Sequence, residues 1–571
     1  AGGLQAMVAN TVGGSPSYET DGYVNLPFAD GRAAARLVAY YNDQGGYLDN
    51  LSLRLSNVDS TSRTGGRAAL RFVLGDRWTL DLAAVGQRLH SRDTQYTTQL
   101  ADPAIRAEPV EGADGAVLNA PARANQVREA SSNDFAQAAA TLRGEFGWAD
   151  LTASTSYVQH DYASLYDATA AASIFSTTGA DLGVYSEAAR IRRLVHDIVL
   201  TSTGAGAFDW LAGIYGSTSV ERTPSSLDIL VSPAATPVVA VAARPPVLTR
   251  VYNEERRDHL REIAAYGEGT WRFAPGWTAS AGARVFESDL KVRAAIVGAP
   301  PAQSRGVDEG RSFTGVSSKL SVQYAFDNSA LVYGLFSEGF RPGGVNSTGF
   351  LPIRPSRANF DADRLENFEI GAKGRLLDHR LVLRAAAFHD IWSNIQSDQY
   401  RPSGLAYTAN VGDAHIEGFE AEAAYDWAFG LSVQANVLLT SPKITRTNPD
   451  FANHLGSGLP GAPKASGGLL VRYDRPLLDG LTLRLVGQAN YVGPARLTFD
   501  PAFSARTDPV VDAELLAEVV SGHWTAGLFV TNPANSSSNT FAYGNPFTFG
   551  QVRQVTPQRP RTIGLRLSTA F

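Results

Sequence analysis

The chain has 571 residues, no cysteine, one methionine, and 50 Lys+Arg against 56 Asp+Glu, a net charge of −6. This excludes a disulfide framework and a cysteine-based metal site, and the interspersed signs leave no basic footprint for nucleic acid. A soluble chain this long normally splits into several domains. Here no Ser/Pro spacer, long charge run or low-complexity tract divides it, which points to one large closed sheet over residues 1–571.

No signal peptide stands at Ala1, which is consistent with a mature form. Along the chain, short turns rich in Gly, Asp and Asn recur at 28–31, 75–76, 145–148, 204–208, 274–276, 327–329, 378–379, 428–430, 478–480 and 522–523. Longer polar segments lie between them, at 13–17, 43–64, 99–130, 163–189, 223–257, 294–310, 341–364, 396–408, 441–463, 493–508 and 532–556. Ten turns and eleven loops join twenty-two strands. Short turns on one rim and long loops on the other is the pattern of an outer-membrane barrel, and a soluble sandwich has no reason to sort its loops this way. Several strands run well past ten residues and are expected to project beyond the bilayer on the loop side.

Aromatics stand beside the short turns: Phe28, Trp78, Phe146, Trp148, Phe208, Trp210, Phe273, Trp277, Phe326, Trp427, Phe429 and Trp524. An interfacial belt reads this way, as do packed barrel corners. No run of about 18 apolar residues can form a spanning helix. The most apolar long stretch, Ile229 to Leu248, holds four prolines and an arginine, so it is read as a loop. Such a loop either packs on its neighbours or meets the lumen, a partner or lipid.

Charges gather at Arg190, Arg192 and Arg193, and again from Glu254 through Arg256 to Glu262. One reading is an extracellular vestibule of Arg190, Arg192, Glu254, Arg256, Glu262 and Arg341 that meets an anionic ligand. The other is a solvated, self-paired network above the membrane. For Arg341 the roles are ligand contact or loop anchoring. Period-two alternation is clear at Val316–Phe326, Asn367–Leu376, Leu431–Thr440 and Leu481–Tyr491. It puts Lys319, Gln323, Glu369, Lys373, Arg375, Arg484, Gln488 and Arg566 on polar faces expected to line a lumen. The last residues, RTIGLRLSTAF, place Ile563, Leu565, Leu567, Thr569 and Phe571 on one face and end flush on the aromatic. A membrane barrel needs such a closing strand, although alone it also fits the edge of a soluble sheet.

Nothing supports catalysis, a cofactor or a protein-held metal. The nine histidines lack HxxxH or HExxH spacing, and there is no nucleophile elbow or phosphate loop. In the adjacent pairs His160-Asp161 and His389-Asp390, strand neighbours point to opposite faces.

Several segments resemble motifs of one family in that family's order. They are YGLFSEGFRPGG at Tyr333–Gly344, LENFEIG at Leu365–Gly371, NVGDAHIEGFEAE at Asn410–Glu422, LPGAPK at Leu459–Lys464 and the closing strand to Phe571. The chain thereby resembles the barrel of TonB-dependent outer-membrane receptors, in letters over roughly the last 240 residues and in pattern before them. The resemblance implies a transmembrane antiparallel barrel of about 22 strands in a Gram-negative outer membrane. It implies Phe571 as the aromatic read by the insertion machinery. The family's N-terminal plug and TonB-gripped motif are not matched, and Ala1–Val12 looks like a plug–barrel junction. The expectation is therefore uptake of a bulky nutrient (a chelated metal, glycan fragment or cobalamin-like compound) gated by a plug removed from this chain or supplied in trans. TonB-type energy coupling would then pass through that partner. The alternatives are a membrane anchor or docking scaffold whose lumen another chain fills, and an open diffusion pore. Outer-membrane lipid and lipopolysaccharide are the expected surroundings.

Overall fold

In the computed structural model the structure describes all residues except 101–121, 173–181, 205, 232–246, 299–300, 328, 350–356, 402–403, 479, 500–505, 542–543 and 549–551. Its body is a single 22-stranded antiparallel sheet closed on itself. The strands are β1 (Gly2–Thr11), β2 (Pro16–Phe28), β3 (Ala33–Gln44), β4 (Thr61–Leu74), β5 (Trp78–Ser91), β6 (Ser131–Glu145), β7 (Ala149–Asp167) and β8 (Leu182–Ser202). They continue as β9 (Phe208–Val231), β10 (Val247–Ala274), β11 (Trp277–Gly298), β12 (Arg305–Phe326), β13 (Ala330–Arg341), β14 (Asp363–Leu376) and β15 (Leu381–Ser393). The rest are β16 (Gly412–Asp426), β17 (Leu431–Thr447), β18 (Ala465–Leu478), β19 (Leu481–Val492), β20 (Val510–Ser521), β21 (Trp524–Thr531) and β22 (Thr562–Ala570). Closure is by β1 on β22, from Gly3 opposite Ala570 to Thr11 opposite Thr562. Gly2 and Phe571 exchange both backbone hydrogen bonds, at 2.6 and 2.9 Å. Full closure leaves no unpaired edge, which a wall facing lipid requires.

All ten short turns lie where the sequence places them. Tight geometry comes from residues at positive φ, such as Gly75 (φ 73) and Asp327 (φ 53). Three long connections are shorter than expected, because β7 runs to Asp167, β9 and β10 extend to Val231 and back from Val247, and β11 and β12 reach Gly298 and Arg305. Strand β10 has 28 residues. A bilayer needs about 9–11, so this sector rises far above the membrane. Each tall strand has a tall neighbour to pair with, and pairing continues through the charge cluster that looked like strand ends. Ile229 to Val231 are accordingly strand, paired with Val247 to Thr249. The Pro-bearing middle of the expected apolar loop lies outside the described residues.

Directly opposite residues share a face, so one row can be followed around the wall. Lys319 sits between Gly282 and Ser337, and the row continues through Asn367 and Asp390. This face carries the charged and amide side chains, and the long connections fold against it, burying Tyr252, Glu254 and Ile296. On the opposite face Ile263, Val285, Leu320, Ile370, Leu485 and Leu565 are 41–69% exposed, an outward apolar band with no protein over it. At its lower margin the aromatics form ring contacts: Trp78–Phe146–Trp148–Trp210, Trp271–Phe273–Trp277–Tyr324–Phe326 and Tyr425–Trp427–Phe429–Tyr473. Among the described residues no helix is long and apolar enough to cross a membrane; the crossing is made by strands.

Candidate functional site: the mouth, its loop cap and the inner wall

Three buried polar knots hold the long connections over the mouth. In the first, the Arg123 guanidinium, wholly withdrawn from solvent, pairs with Asp93 at 2.8 Å and Glu129 at 2.5 Å, and lies over the Tyr96 ring. Tyr96 donates to Glu129 at 2.7 Å, and Asn125 donates to the Tyr96 hydroxyl at 2.7 Å. Burial pushes the Glu129 and Asp93 carboxyls up, and the Arg123 charge pulls them back. A buried charge is tolerated only with this degree of pairing.

In the second knot, β10 holds the connection that follows β13. Arg256 donates to the Val345 carbonyl at 3.0 Å and to Ser347 Oγ at 2.9 Å while also pairing with Asp258. Ser347 donates to Glu254 at 2.5 Å, and Arg305 donates to the Ser347 and Gly349 carbonyls at 2.7 and 2.8 Å. In the third, Arg341 pairs with buried Asp363, which also accepts from Trp392 Nε1 at 3.0 Å. Gln396, opening a small hairpin of 396–400 on 406–410, donates to the Pro342 and Asp361 carbonyls at 2.9 and 3.0 Å. Arg341, half exposed, also donates to the Gln396 carbonyl at 3.2 Å and so links the ends of β13 and β14 to this hairpin.

Beneath the cap lies a cleft of about 400 Å³ lined by Tyr162, Tyr166, Tyr185, Glu187, Ser225 and Glu254, with Leu405 and Phe547 above them. The Phe547 ring meets Tyr185 at 4.9 Å and Tyr166 at 6.3 Å between centroids. Burial raises the Glu187 carboxyl, opposed by a hydrogen bond from the Tyr166 hydroxyl at 2.9 Å. The cleft offers carboxylates and phenols on an aromatic wall, a surface suited to a bulky ligand rich in hydrogen-bond donors. Among the described residues no group of three or more His, Cys, Asp or Glu is placed to hold a metal ion.

Lower on the same face runs a belt of paired charges. Lys319 meets Glu268 at 3.0 Å, Arg384 meets Glu422 at 2.9 Å, Arg484 meets Asp474 at 2.9 Å and Arg566 meets Glu518 at 2.8 Å. Glu369 accepts from Tyr333 at 2.6 Å, Lys373 stands over that ring, and Gln488 donates to Glu514 at 3.0 Å. Gln323 and Arg375 complete the eight residues named above, on the same face by register.

The six vestibule residues do not gather. Glu254 and Arg256 lie in the cap, Arg341 lies in a separate knot, and Glu262 sits lower in the wall beside Arg284. Arg190 and Arg192 are on the opposite, outward face, because Ile191 and Arg193 take the inner phase of β8. Sequence reasoning missed the knot around Arg123 and the roof residue Phe547. No short-range signal marks either, since their partners lie far along the chain. His160 bonds Asn133, and His389 faces His415 while Asp390 turns inward to Asn367.

The family described as TonB dependent receptor-like, beta-barrel matches residues 10–542. A pesticin receptor of Yersinia enterocolitica is 27% identical over 246 residues, covering 41% of this chain and 34% of that receptor. A metal-pseudopaline receptor of Pseudomonas aeruginosa is 28% identical over 280 residues, covering 46% of this chain and 36% of the other. The match thus spans about a third of these relatives' length. The structure of the ferric yersiniabactin uptake receptor FyuA from Yersinia pestis superimposes with a TM-score of 0.81 at 16% identity, over 100% of this chain and 80% of that one. The ferripyoverdine receptor of Pseudomonas aeruginosa does so at 0.69 and 17%, over 100% and 71%. At these identities the two structures speak for the fold alone.

Proposed function

The chain belongs to the TonB-dependent receptor-like β-barrel family and lies in the outer membrane of a Gram-negative bacterium, and from that premise we propose that it is the barrel of a selective uptake receptor for a bulky metal chelate. The observation that carries this reading is the cap of knotted loops over the Glu187–Glu254 cleft, directly above an inner wall of paired charges. A diffusion pore has no use for such a cap. The wall charges Glu369, Lys373, Arg375 and Arg484 line the lumen in this reading and face a plug, either a segment of a longer protein or a separate chain. A lumen this wide has room for a folded domain, and its charges need water or partners. TonB would then act through the plug. A sequence relative whose name specifies metal-pseudopaline favours a metal chelate over a glycan or a cobalamin-like compound.

The test has two arms. Cells lacking the protein are grown with single ferric chelates as the sole iron source, and the barrel purified with its native partners is measured in planar bilayers. Uptake predicts a growth defect on one chelate class, and near-zero conductance that rises when partners are stripped. Normal growth on every chelate with a large steady conductance would establish an open pore instead. Normal growth with stable copurification of surface proteins would establish a docking scaffold.

A further inference from the structure

The outward face of the tall strands carries a basic patch that the uptake reading does not use. Strand pairing sets Arg190, Arg222, Arg257 and Arg293 directly opposite one another on β8, β9, β10 and β11. The next outward row toward the membrane holds Arg192, His259 and Lys291, and Arg261 follows in the row below. All of the arginines and the lysine are exposed. Adjacent strands stand about 4.8 Å apart, so the four arginines form a strip about 15 Å long. Like charges directly opposite one another destabilise a sheet unless something of the other sign lies between them. Among the described residues, ion pairs of this kind form only at the flanks: Arg190 pairs with Asp161, and Asp308 approaches Arg293 at 3.3 Å and Lys291 at 3.9 Å. Glu255, Glu287 and Asp289 share the face by register, Asp289 directly opposite Arg261 and Glu287 one row nearer the membrane, and none of the three forms an ion pair among the described residues. Arg192, Arg222, Arg257 and Arg261 have no ion pair among the described residues.

The height of the patch is equally specific. On β10 the outward apolar residues run from Phe273 to Ile263. At the usual strand tilt this distance crosses a hydrocarbon band about 25 Å tall. The next outward residue is Arg261, so the patch begins where hydrocarbon ends, on the rim of long connections that meets the outer leaflet. Guanidinium groups bind phosphate through paired N–H donors, more specifically than an ammonium does.

We propose that this patch binds the phosphate groups of lipopolysaccharide in the outer leaflet, with Arg192, Arg222, Arg257 and Arg261 as the principal contacts. The site requires only the outer-membrane location and stands apart from the uptake reading. Arg190 and Arg192, expected at a ligand vestibule, serve the lipid boundary in this arrangement.

The full chain, purified in detergent, is titrated with bisphosphorylated lipid A and with its dephosphorylated form, and bound lipid is counted by native mass spectrometry. The wild type is expected to retain the phosphorylated form selectively. The variant with Arg192, Arg222, Arg257 and Arg261 all changed to Gln is expected to lose about fivefold in affinity per arginine. The same four positions changed to Lys should keep most of the binding. Heat-modifiable migration on gels checks that each barrel is folded; if the fourfold variant fails that check, Arg222→Gln/Arg257→Gln takes its place. Equal retention by the Gln variant, or equal retention of the two lipids by the wild type, overturns the proposal. So does full displacement by inorganic phosphate, which would mark a site for water-borne anions.

Discussion

Asn545 donates from Nδ2 to Glu129 Oε1 at 2.6 Å and, with its other amide hydrogen, to the Asp167 carbonyl at 2.7 Å. One side chain thus ties the connection between β21 and β22 to the ends of two connections on the far side of the β1–β22 seam. Gln554 supports it by donating to the Asn545 carbonyl at 2.6 Å. The cap is latched at this point.

Replacing Asn545 with Ala removes both bonds, leaving Glu129 Oε1 with only Asn125 and the Asp167 N–H as donors, which should loosen the cap by about 1–3 kcal/mol. Hydrogen exchange over 122–130 and 545–548 is expected to speed up while the barrel strands stay protected. Unchanged exchange in both segments would show that the latch carries no load.

Arg123→Met is expected to be harsher. It strands Asp93 and Glu129 in a dry environment, and breaking a buried pair in this way costs about 3–5 kcal/mol. Limited proteolysis should cut the variant within the cap, while its heat-modifiable migration matches the wild type. A protease-resistant cap would contradict the central role given to this guanidinium.

The cap should also respond to pH through Glu187. Burial raises its carboxyl in the closed arrangement, so the closed form binds the proton more tightly than an open, solvated one. The stabilisation is fully present below the ordinary glutamate pKa of about 4.3 and is lost as pH rises through the raised value. After correction for intrinsic rates, exchange at 169–172 and 404–406 should increase as pH rises above that ordinary value. In Glu187→Gln this extra dependence should vanish. A persistent dependence would assign it to another group.

In the wall, the Phe388 ring lies across Gly418, its directly paired neighbour, and a Cβ there would come within 2.0 Å of the ring. The aromatic fills the space that the glycine leaves, a known device for stiffening curved sheets. Gly418→Val should therefore destabilise the barrel by about 1–3 kcal/mol and lower the temperature of its gel-shift transition. Adding Phe388→Ala should recover part of that loss. An unaltered transition in Gly418→Val would mean that the ring finds another place at no cost.

Phe571 pairs its backbone with Gly2 at the closing seam, and its ring covers that glycine. Its deletion is expected to lower the amount of folded barrel in the outer membrane and to leave the activity per folded molecule unchanged. Wild-type levels of heat-modifiable barrel would remove any assembly role from this residue.

The strand count, the ten short turns and the face occupied by Lys319, Glu369 or Arg566 were legible in the sequence, because each depends on neighbours a few residues away. Period-two alternation needs only one strand, and a tight turn needs only Gly, Asp or Asn at its centre. That several strands rise beyond the bilayer was legible as well, but not how far, since Glu254 to Glu262 are polar on both faces apart from Leu260, and only the pairing partners reveal that the ladder continues. The phase of Arg190 and Arg192 was hidden for a different reason: Ile191 between them, read by the rule that apolar residues face outward, puts both arginines inward, and above the membrane that rule lapses and Ile191 takes the inner phase. The cap was invisible because Arg123, Glu129 and Asn545 are ordinary polar residues, and 416 residues separate the last two. Local patterns record which way a side chain points from its own strand. Which distant charges share a dry pocket is decided only when the closed wall holds both ends of every connection at fixed places on one rim.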